Sequence, residues 1–278
     1  MHGTHLKLFS YLRLDLVLSL QDRSGNMSTV WLLKSSDADD DKYSDSLSKA
    51  GFVTEHIPTL SFKFTNHGPL KNALQQPENH SGIIFTSKRA VEAVTELYKH
   101  LSVDCHHSWS EKKIFVIGEA TGRAVQQHLK LNHIGQESGN AQQLAPIIVK
   151  ETVAFDKPLL YPCGNLGRDE LPKLLAQQDR DFRALTVYET QEHPQLKDTI
   201  AKHHSSGKDP SYMVFFSPSG VKFTLPKLKS VGISLTGVKM IAIGPATNAA
   251  LVQDNIPVHA VCSSPSPEGL LHTLKSPL

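Results

Sequence analysis

Hydroxyl side chains follow apolar runs at matching places in the two halves of this sequence. The first half carries Thr86, Ser87 and Thr121, and the second half carries Ser217, Ser219 and Thr247. In parallel α/β sheets the ligand site lies at the carboxyl ends of the strands, where helix N-termini present free amides that bind carboxylates or phosphates. Each of these hydroxyls taken singly is also consistent with an ordinary helix N-cap. Because six occur in a duplicated arrangement, the pattern favours a lining that binds anionic groups.

The elements that must position these side chains form a two-part repeat. Residues 84–91 (IFTSKRAV) are followed by 115–121 (FVIGEAT), and residues 214–221 (VFFSPSGV) are followed by 241–247 (IAIGPAT). Each part indicates an apolar strand that ends in small polar residues and leads into a helix. We expect Ser87 and Thr121 to cap the helices that follow them, and a further helix to begin at Asn140. The repeat predicts two similar domains, and favours a cleft over a single deep pocket.

Several chemistries are excluded by missing motifs. No G-x-G-x-x-G or G-x-x-x-x-G-K-[ST] loop is present, so the sequence has no standard nucleotide-binding signature. There is no G-x-S-x-G elbow for a nucleophilic serine. Residues 105–107 (CHH) are interpreted as a polar loop, because no second Cys/His pair stands at ligand spacing to complete a metal site. We therefore expect no metal, no nucleotide and no covalent nucleophile.

Size and charge limit the classes of partner. The chain has 278 residues, 39% of them hydrophobic and 20% charged, with a formal net charge of +2. This composition is typical of a soluble globular protein with one large or two ordinary domains. The small net charge argues against nucleic acid or a membrane as partner, and a small anionic ligand remains compatible with it. Nothing in the sequence suggests more than a monomer.

The N-terminal segment differs from the rest of the chain. Residues 1–28 are expected to be a disordered extension outside the fold, and Met27 directly precedes the first convincing strand. Leu6 to Leu20 is leucine-rich but interrupted by charges, so it resembles neither a membrane span nor a signal peptide. The scattered cysteines Cys105, Cys163 and Cys262 indicate a reducing compartment. We expect a cytosolic protein, with mitochondrial targeting by residues 1–26 as the alternative.

The order of elements predicts the fold class. Short buried strands alternate with helices, which indicates α/β architecture with parallel sheets covered on both faces. Residues 59–65 and 182–190 instead alternate apolar and polar side chains, so they are predicted as half-exposed strands that pair as a two-stranded β-ladder. Residues 193–210 are polar and are predicted as a linker. The expected fold is two similar doubly wound domains joined by this ladder, with one domain discontinuous. The predicted parts are a discontinuous domain of residues 29–58 and 193–278, a connector of 59–76 and 176–192, and an inserted domain of 77–175.

Taken in order, the motifs resemble those of a known family. They are Phe-Thr-Ser at 85–87, Ile-Gly-x-Ala-Thr at 117–121, Val-Tyr-Glu-Thr at 187–190, Phe-Phe-Ser-Pro-Ser-Gly at 215–220, Ile-Gly-Pro-Ala-Thr at 243–247 and Ser-Pro-Ser-Pro-Glu at 264–268. Residues 57–62 (IPTLSF) and 160–166 (LYPCGNL) fit the same pattern. Each motif is weak by itself, but their order and spacing across residues 29–275 are specific. The chain resembles the uroporphyrinogen-III synthases of animal type.

This resemblance implies an activity. Members of the family close the linear tetrapyrrole hydroxymethylbilane without a cofactor, with loss of water and inversion of ring D, in haem biosynthesis. The substrate closes readily to the non-inverted isomer without the enzyme, so the main task is positioning, together with one proton donor for the departing hydroxide. Transient contact with the deaminase that supplies the substrate is a further expectation. The implied activity is that of a hydro-lyase.

The resemblance also implies roles for particular residues. Tyr188 occupies the family's tyrosine position and is the candidate proton donor, and Thr121 is a second candidate catalytic hydroxyl. The residues expected to bind acetate and propionate groups are Thr86, Ser87, Arg89, Ser217, Ser219 and Thr247. Two departures affect these contacts, because Phe216 stands where the first repeat has Thr86, and Ala246 stands where related sequences can carry threonine.

Two readings without catalysis remain open. The chain could be a two-domain protein that binds a small anion or a tetrapyrrole without turnover, although such receptors are usually exported. It could also be an enzyme relic within an interaction protein. Selective binding of uroporphyrinogen without turnover would favour either reading.

Overall fold

The computed structural model describes residues 27–35, 42–152, 156–167 and 170–276. The expected N-terminal extension therefore lies, up to residue 26, outside the described residues. The chain divides into two compact units. The outer unit contains the described residues up to Ser61 and those from Glu192 onward, and the inserted unit contains Phe62–Gln191.

The described part of the outer unit contains a five-stranded sheet in the order β10-β9-β8-β1-β2. Every pair of neighbouring strands in it is parallel. Its strands are β1 (Thr29–Lys34), β2 (Val53–Pro58), β8 (Tyr212–Phe215), β9 (Lys239–Ala242) and β10 (Ala260–Val261). Its helices are α1 (Lys42–Lys49), α8 (Leu196–Ser205), α9 (Pro218–Val231), α10 (Pro245–Gln253) and α11 (Pro267–Lys275).

The inserted unit has a second five-stranded sheet, in the order β3-β7-β6-β4-β5 among its described residues. Strands β7, β6, β4 and β5 are parallel. The strands are β3 (Leu60–Phe64), β4 (Gly82–Phe85), β5 (Lys113–Val116), β6 (Leu159–Gly164) and β7 (Phe182–Glu192). The helices are α2 (His67–Gln75), α3 (Lys88–Tyr98), α4 (Val103–Ser110), α5 (Glu119–Ala124), α6 (Ala141–Glu151) and α7 (Glu170–Ala176), with a 3₁₀ turn at Pro77–Asn79 and a π-helical turn at Val125–Leu129.

Strands β3 and β7 carry the chain from one unit to the other. The Thr65 amide donates to the carbonyl of Val187 at 3.0 Å, and the His193 amide donates to the carbonyl of Thr59 at 3.2 Å. Residue numbers rise along one strand as they fall along the other, so the two strands are antiparallel. The chain passes between the units at 61–62, within β3, and again at 191–192, at the end of β7.

Both sheets bury both of their faces. In β4, Ile83 and Phe85 join one apolar cluster, whereas Ile84 joins a different one. In β1, Trp31 and Leu33 belong to one cluster, and their neighbours belong to another. Successive side chains of a strand point to opposite faces, so helices must cover each sheet on both sides. The predicted fold class is confirmed: two α/β units with parallel sheets, one of them discontinuous in sequence.

The repeat found in the sequence is also a repeat of local structure. Ser87 is the N-cap of α3 and accepts a hydrogen bond from the Ala90 amide at 3.2 Å. Ser217 is the N-cap of α9 and accepts from the Gly220 amide at 3.0 Å. The Ile117 amide donates to the carbonyl of Phe85, the last residue of β4, at 3.0 Å, and the Ile243 amide donates to the carbonyl of Phe215, the last residue of β8, also at 3.0 Å. The two copies therefore share one strand-turn-helix geometry, and the predicted cap at Ser87 is confirmed.

Three local predictions are wrong. Thr121 does not cap α5, because Gly118, at φ 79°, is the N-cap and the helix begins at Glu119. Residues 105–107 lie in helix α4 rather than in a loop, since Ser102 caps that helix and Trp109 anchors it in the core. The polar stretch 193–210 contains helix α8, whose Leu196 and Ile200 are fully buried. In the part of the chain that the structure describes, no helix is long and apolar enough to cross a membrane.

Candidate active site

Tyr188 and Ser87 meet at the carboxyl edge of the inserted unit's sheet. Tyr188 lies on β7, and its hydroxyl oxygen is 3.1 Å from the Oγ of Ser87. Ser87 follows β4 and already accepts the Ala90 amide as the N-cap of α3. A serine oxygen has two lone pairs and one proton, so Ser87 can satisfy the helix end and still bond to the tyrosine. The family resemblance implied roles for both residues, and the structure brings their hydroxyl groups together.

A second tyrosine pairs with the residue before Ser87. The hydroxyl oxygen of Tyr161, on β6, is 3.3 Å from the Oγ1 of Thr86. Tyr161 is only 5% exposed, and its ring meets that of Phe182 edge to face at 6.3 Å. Both hydroxyls at the end of β4 therefore have a tyrosine hydroxyl as neighbour. Tyr161 was not expected as a site residue, because its partner Thr86 is distant in sequence.

These two pairs line a pocket of about 280 Å³ in the inserted unit. The pocket lies where β4 and β6 end and where the chain enters α3, α6 and α7. Asn140 caps α6 by accepting the Gln143 amide at 3.0 Å, and it was predicted as a helix start but not as a site residue. The lining residues are Thr86, Ser87, Ile117, Gly139, Asn140, Ala141, Tyr161, Cys163, Gly164, Gly167, Glu170, Leu171 and Tyr188.

The pocket's polar lining is mainly neutral. Hydroxyls come from Thr86, Ser87 and the two tyrosines, and the capped helix starts at Ser87 and Asn140 add the amides and positive dipole ends of α3 and α6. Glu170 is the charged residue among the described lining residues, and its carboxylate accepts a hydrogen bond from the Gln142 side chain. Such a lining can hold a carboxylate through hydrogen bonds rather than through an ion pair.

Cys163 lines the same pocket, but its thiol is not poised as a nucleophile. Burial raises the pKa of Cys163, an effect that hydrogen bonds involving the Thr186 side chain and the Leu185 backbone only partly offset. The Sγ lies 3.6 Å from the Leu185 carbonyl oxygen. The thiol therefore stays protonated near neutral pH, and the reactive thiolate is disfavoured.

Arg89 lies beside the pocket rather than in its lining. Its Nη1 is 2.6 Å from the Oε2 of Glu92, and its guanidinium carbon stands 4.4 Å from the centre of the Phe62 ring. The Phe62 ring in turn packs against the Tyr188 ring at 5.9 Å. The guanidinium therefore lies over the Phe62 ring, which meets the Tyr188 ring edge to face, so Phe62 separates Arg89 from the tyrosine.

Thr121 and Thr247 occupy equivalent buried positions. Each is the third residue of its helix, α5 and α10, and they are 5% and 3% exposed. Thr121 is not among the described residues that line the pocket. The structure does not bring it together with Tyr188, and its catalytic role stays a prediction.

In the outer unit, Ser217 and the half-buried Ser219 lie at the start of α9. The preceding Phe216 packs edge to face on Tyr43 at 4.8 Å, and the Lys34 Nζ lies 6.0 Å from the Phe216 ring. The strand end that carries a threonine in one unit thus carries an aromatic ring beside a lysine in the other. Among the described residues no cluster of three histidine, cysteine or acidic side chains could hold a metal ion.

Comparison with known proteins gives the family. A family model described as uroporphyrinogen-III synthase HemD matches residues 41–272. The uroporphyrinogen-III synthase of Schizosaccharomyces pombe is 29% identical over 256 residues, which are 89% of this chain and 96% of that protein. The Saccharomyces cerevisiae synthase is 25% identical over 265 residues, covering 88% and 95% of the two chains.

Solved structures show the same fold. The uroporphyrinogen-III synthetase of Helicobacter pylori superposes with a TM-score of 0.60 at 19% identity, covering 89% of this chain and 98% of that one. A mutant uroporphyrinogen III synthase from Thermus thermophilus superposes with a TM-score of 0.57 at 16% identity, covering 89% and 97%. With the family model spanning most of the chain, this protein belongs to the uroporphyrinogen-III synthase family.

Proposed function

We propose that this protein is a cofactor-independent hydro-lyase that converts hydroxymethylbilane into uroporphyrinogen III, with loss of water and inversion of ring D. The observation that carries the proposal is the Tyr188 hydroxyl, placed 3.1 Å from Ser87 at the wall of a hydroxyl-rich pocket in a chain of this family. The hydroxyls and the amides at the helix starts suit a substrate whose rings carry acetate and propionate groups.

The first step is departure of the hydroxyl group from the hydroxymethyl carbon. Tyr188 donates its proton to that oxygen, water leaves, and an azafulvenium cation remains together with the tyrosine phenolate. Ser87 stabilises the phenolate by donating its own hydroxyl proton in a hydrogen bond, while its oxygen still accepts the Ala90 amide. A donor within hydrogen-bond reach of the leaving oxygen contributes about 10²- to 10⁴-fold to such a step.

The later steps rearrange carbon–carbon bonds. The substituted carbon of ring D attacks the azafulvenium to give a spiro intermediate, which then breaks the old bond between rings C and D. The free α-carbon of ring D closes the macrocycle, and the proton it loses returns to the Tyr188 phenolate. The sum is one substrate, one product and one water, with no net oxidation, so the balance calls for no redox cofactor.

The pocket is sized for part of the substrate. Sites for drug-sized ligands are usually about 300–1,000 Å³, whereas this one is about 280 Å³. We assign to it one ring and its carboxylates, held by Thr86, Ser87 and the amides at the start of α3 and α6. In the outer unit, Ser217 and Ser219 are proposed to hold carboxylates of other rings, and Arg89 adds positive charge near Tyr188.

The test separates catalysis from the spontaneous reaction. Purified protein is mixed with fresh hydroxymethylbilane without added metal or nucleotide, and the products are oxidised and resolved into uroporphyrin isomers I and III by liquid chromatography. Predominant isomer III supports the proposal. Isomer I at the rate of the buffer blank contradicts it, and heat-inactivated protein is the matched control.

The cellular context follows as a set of further proposals. We propose a monomer that acts in the cytosol and meets the preceding deaminase transiently. If the two enzymes meet, substrate made in situ by the deaminase should yield less isomer I than the same amount of substrate added free. Equal isomer ratios from the two sources of substrate would contradict the proposed contact.

A further inference from the structure

The backbone around Tyr188 departs from regular strand geometry. In the pairing of β6 with β7, Cys163 stands opposite Thr186, but the next residue, Gly164, stands opposite Tyr188. Val187 is therefore skipped, which is the pattern of a β-bulge. Without the bulge, successive side chains would point to opposite faces. With it, both Val187 and Tyr188 pack on the same apolar cluster.

Gly164 fits against the face of the tyrosine ring. A Cβ added at Gly164 would lie 2.5 Å from the Cζ of Tyr188 and 2.8 Å from its hydroxyl oxygen. These distances are shorter than any real Cβ contact, so only glycine allows the ring to occupy its present place. The absence of a side chain at Gly164 thus lets the Tyr188 hydroxyl lie within hydrogen-bond distance of Ser87.

Asn165 holds the strand on the far side of the tyrosine. Its backbone N–H donates to the carbonyl of Tyr188 at 3.1 Å, and its side-chain Oδ1 accepts a hydrogen bond from the backbone N–H of Thr190 at 2.9 Å. The two bonds bracket Glu189 and replace the ladder that the bulge interrupts. The turn that presents Asn165 is closed by a bond from the Gly167 amide to the Gly164 carbonyl at 3.1 Å.

We propose that Gly164 and Asn165 are positioning residues, which together form a clamp that sets the Tyr188 hydroxyl against Ser87. Neither is given a role by the family resemblance or by the anion-binding pattern. The effect of the clamp on catalysis rests on the proposed function. The placement of the Tyr188 hydroxyl does not, because it can be measured in the protein without substrate. The clamp affects catalysis by positioning the Tyr188 hydroxyl, since a displacement of a reacting group by about 1 Å can lower the rate about 10²-fold.

The first readout is the tyrosine itself, without substrate. The chain has six tyrosines, so protein labelled with ¹³C at the tyrosine Cζ gives a small set of signals, and Tyr188→Phe identifies the one of interest. We expect Gly164→Ala and Asn165→Ala to shift the Tyr188 signal. Asn165→Asp keeps the acceptor oxygen, so its Tyr188 signal should lie near the wild-type position rather than at that of Asn165→Ala. Asn165 is exposed, so its loss should leave the protein folded.

Two controls match these changes. Gly68→Ala adds a methyl group in the same unit at a place where nothing lies within 4 Å. Asn66→Gly removes a side chain that also bonds to β7, at the Thr186 carbonyl, while keeping the backbone at φ 54° accessible. Both should leave the Tyr188 signal in place. If the clamp variants also leave it in place, the proposal is overturned.

The second readout is catalysis. Gly164→Ala should lower kcat about 10²-fold and Asn165→Ala about tenfold, with KM little changed and the isomer I fraction raised. In a Tyr188→Phe background the same changes should add almost nothing, since groups that act as one unit are non-additive. A shifted tyrosine signal with wild-type kcat, or full additivity with Tyr188→Phe, would overturn the positioning role. Wild-type protein that forms only isomer I would refute the proposed function, and the tyrosine signal would still decide whether the clamp exists.

Discussion

The Ser87 Oγ lies 3.1 Å from the Tyr188 hydroxyl oxygen and 3.2 Å from the Ala90 amide nitrogen. Ser87 thus caps the start of α3 and also contacts the hydroxyl of a tyrosine on β7, which lies on the other side of β6 from β4. Under the proposed function, the stability of the inserted unit and the activity of the protein both depend on this oxygen, and substitutions can separate the two effects.

Removing the Tyr188 hydroxyl tests the proton donor. Tyr188→Phe keeps the ring packed on Phe62, so we expect kcat to fall by about 10²- to 10⁴-fold while the melting temperature changes little. Isomer analysis and thermal unfolding of the same sample measure both. Tyr98→Phe, a buried tyrosine packed on His106 in the same unit, is the control and should keep full activity. A large loss of melting temperature in Tyr188→Phe would make the role of its hydroxyl structural.

Ser87→Ala should lower both stability and activity. Loss of an N-cap serine costs about 1 kcal/mol, and loss of the Tyr188 partner removes support for the phenolate. Ser102→Ala removes a comparable cap, which accepts the Cys105 amide at 3.3 Å at the start of α4, without touching the pocket. Denaturant unfolding should show similar losses for the two variants. If Ser102→Ala lowers kcat as much as Ser87→Ala does, the effect of Ser87 comes from stability and not from the tyrosine.

His80 should make the protein less stable in mild acid. It is 2% exposed and stacks on Trp109 at 6.1 Å. Burial, followed by the nearby Arg183 and Lys112 charges, lowers the pKa of His80 below its ordinary value of 6.5, against weaker opposing effects of the Pro158 backbone and Glu78. The unfolded chain then binds more protons than the folded one below about pH 6.5, so the free energy of unfolding falls as pH falls.

The measurement for His80 is denaturant unfolding across mildly acidic and neutral pH. His80→Gln keeps a hydrogen-bond donor but cannot be protonated, so its unfolding free energy should fall less between about pH 7.5 and about pH 5.5. Parallel curves for the variant and the wild type would show that other groups set the acid sensitivity.

Gly82→Ala should destabilise the inserted unit. A Cβ there would lie 2.2 Å from the backbone carbonyl oxygen of Lys113 on the neighbouring strand β5. Since that atom belongs to the backbone, the strands must separate, and we expect a loss of about 1–3 kcal/mol or more. Gly68→Ala, where the space is open, should be neutral or slightly stabilising. Equal unfolding midpoints for the two variants would contradict the tight contact.

The parts of the fold set by local chemistry could be predicted from the sequence. Ser87 and Asn140 were expected at helix starts, because a capping side chain bonds to an amide three residues away and needs nothing else. Thr121 was misplaced because the start of α5 depends on Gly118, whose amide bonds to the carbonyl of the distant Ser138. Helix α8 was missed because two buried aliphatic anchors, Leu196 and Ile200, are too few to show a helical period in a polar stretch.

The candidate site shows the same limit. Tyr188 could be named only through the resemblance, since nothing in its neighbours along the chain indicates Ser87 as a partner. Tyr161 and the Gly164–Asn165 clamp went unnoticed because each acts on a residue of another strand or turn. Contacts of this kind arise from tertiary packing, which overrides local patterns.

Thr86 in the first repeat corresponds to Phe216 in the second, so the ends of the two equivalent strands differ chemically. The four pyrrole rings of the proposed substrate carry the same kinds of acid group, so two identical strand ends would bind the acid groups of the first and the last ring equally well. One strand end here offers a hydroxyl pair backed by tyrosines, and its counterpart offers an aromatic face with a lysine beside it. Under the proposed function, this divergence of a duplicated segment lets the protein distinguish the first ring from the last, a distinction that any catalyst inverting a single terminal ring must make.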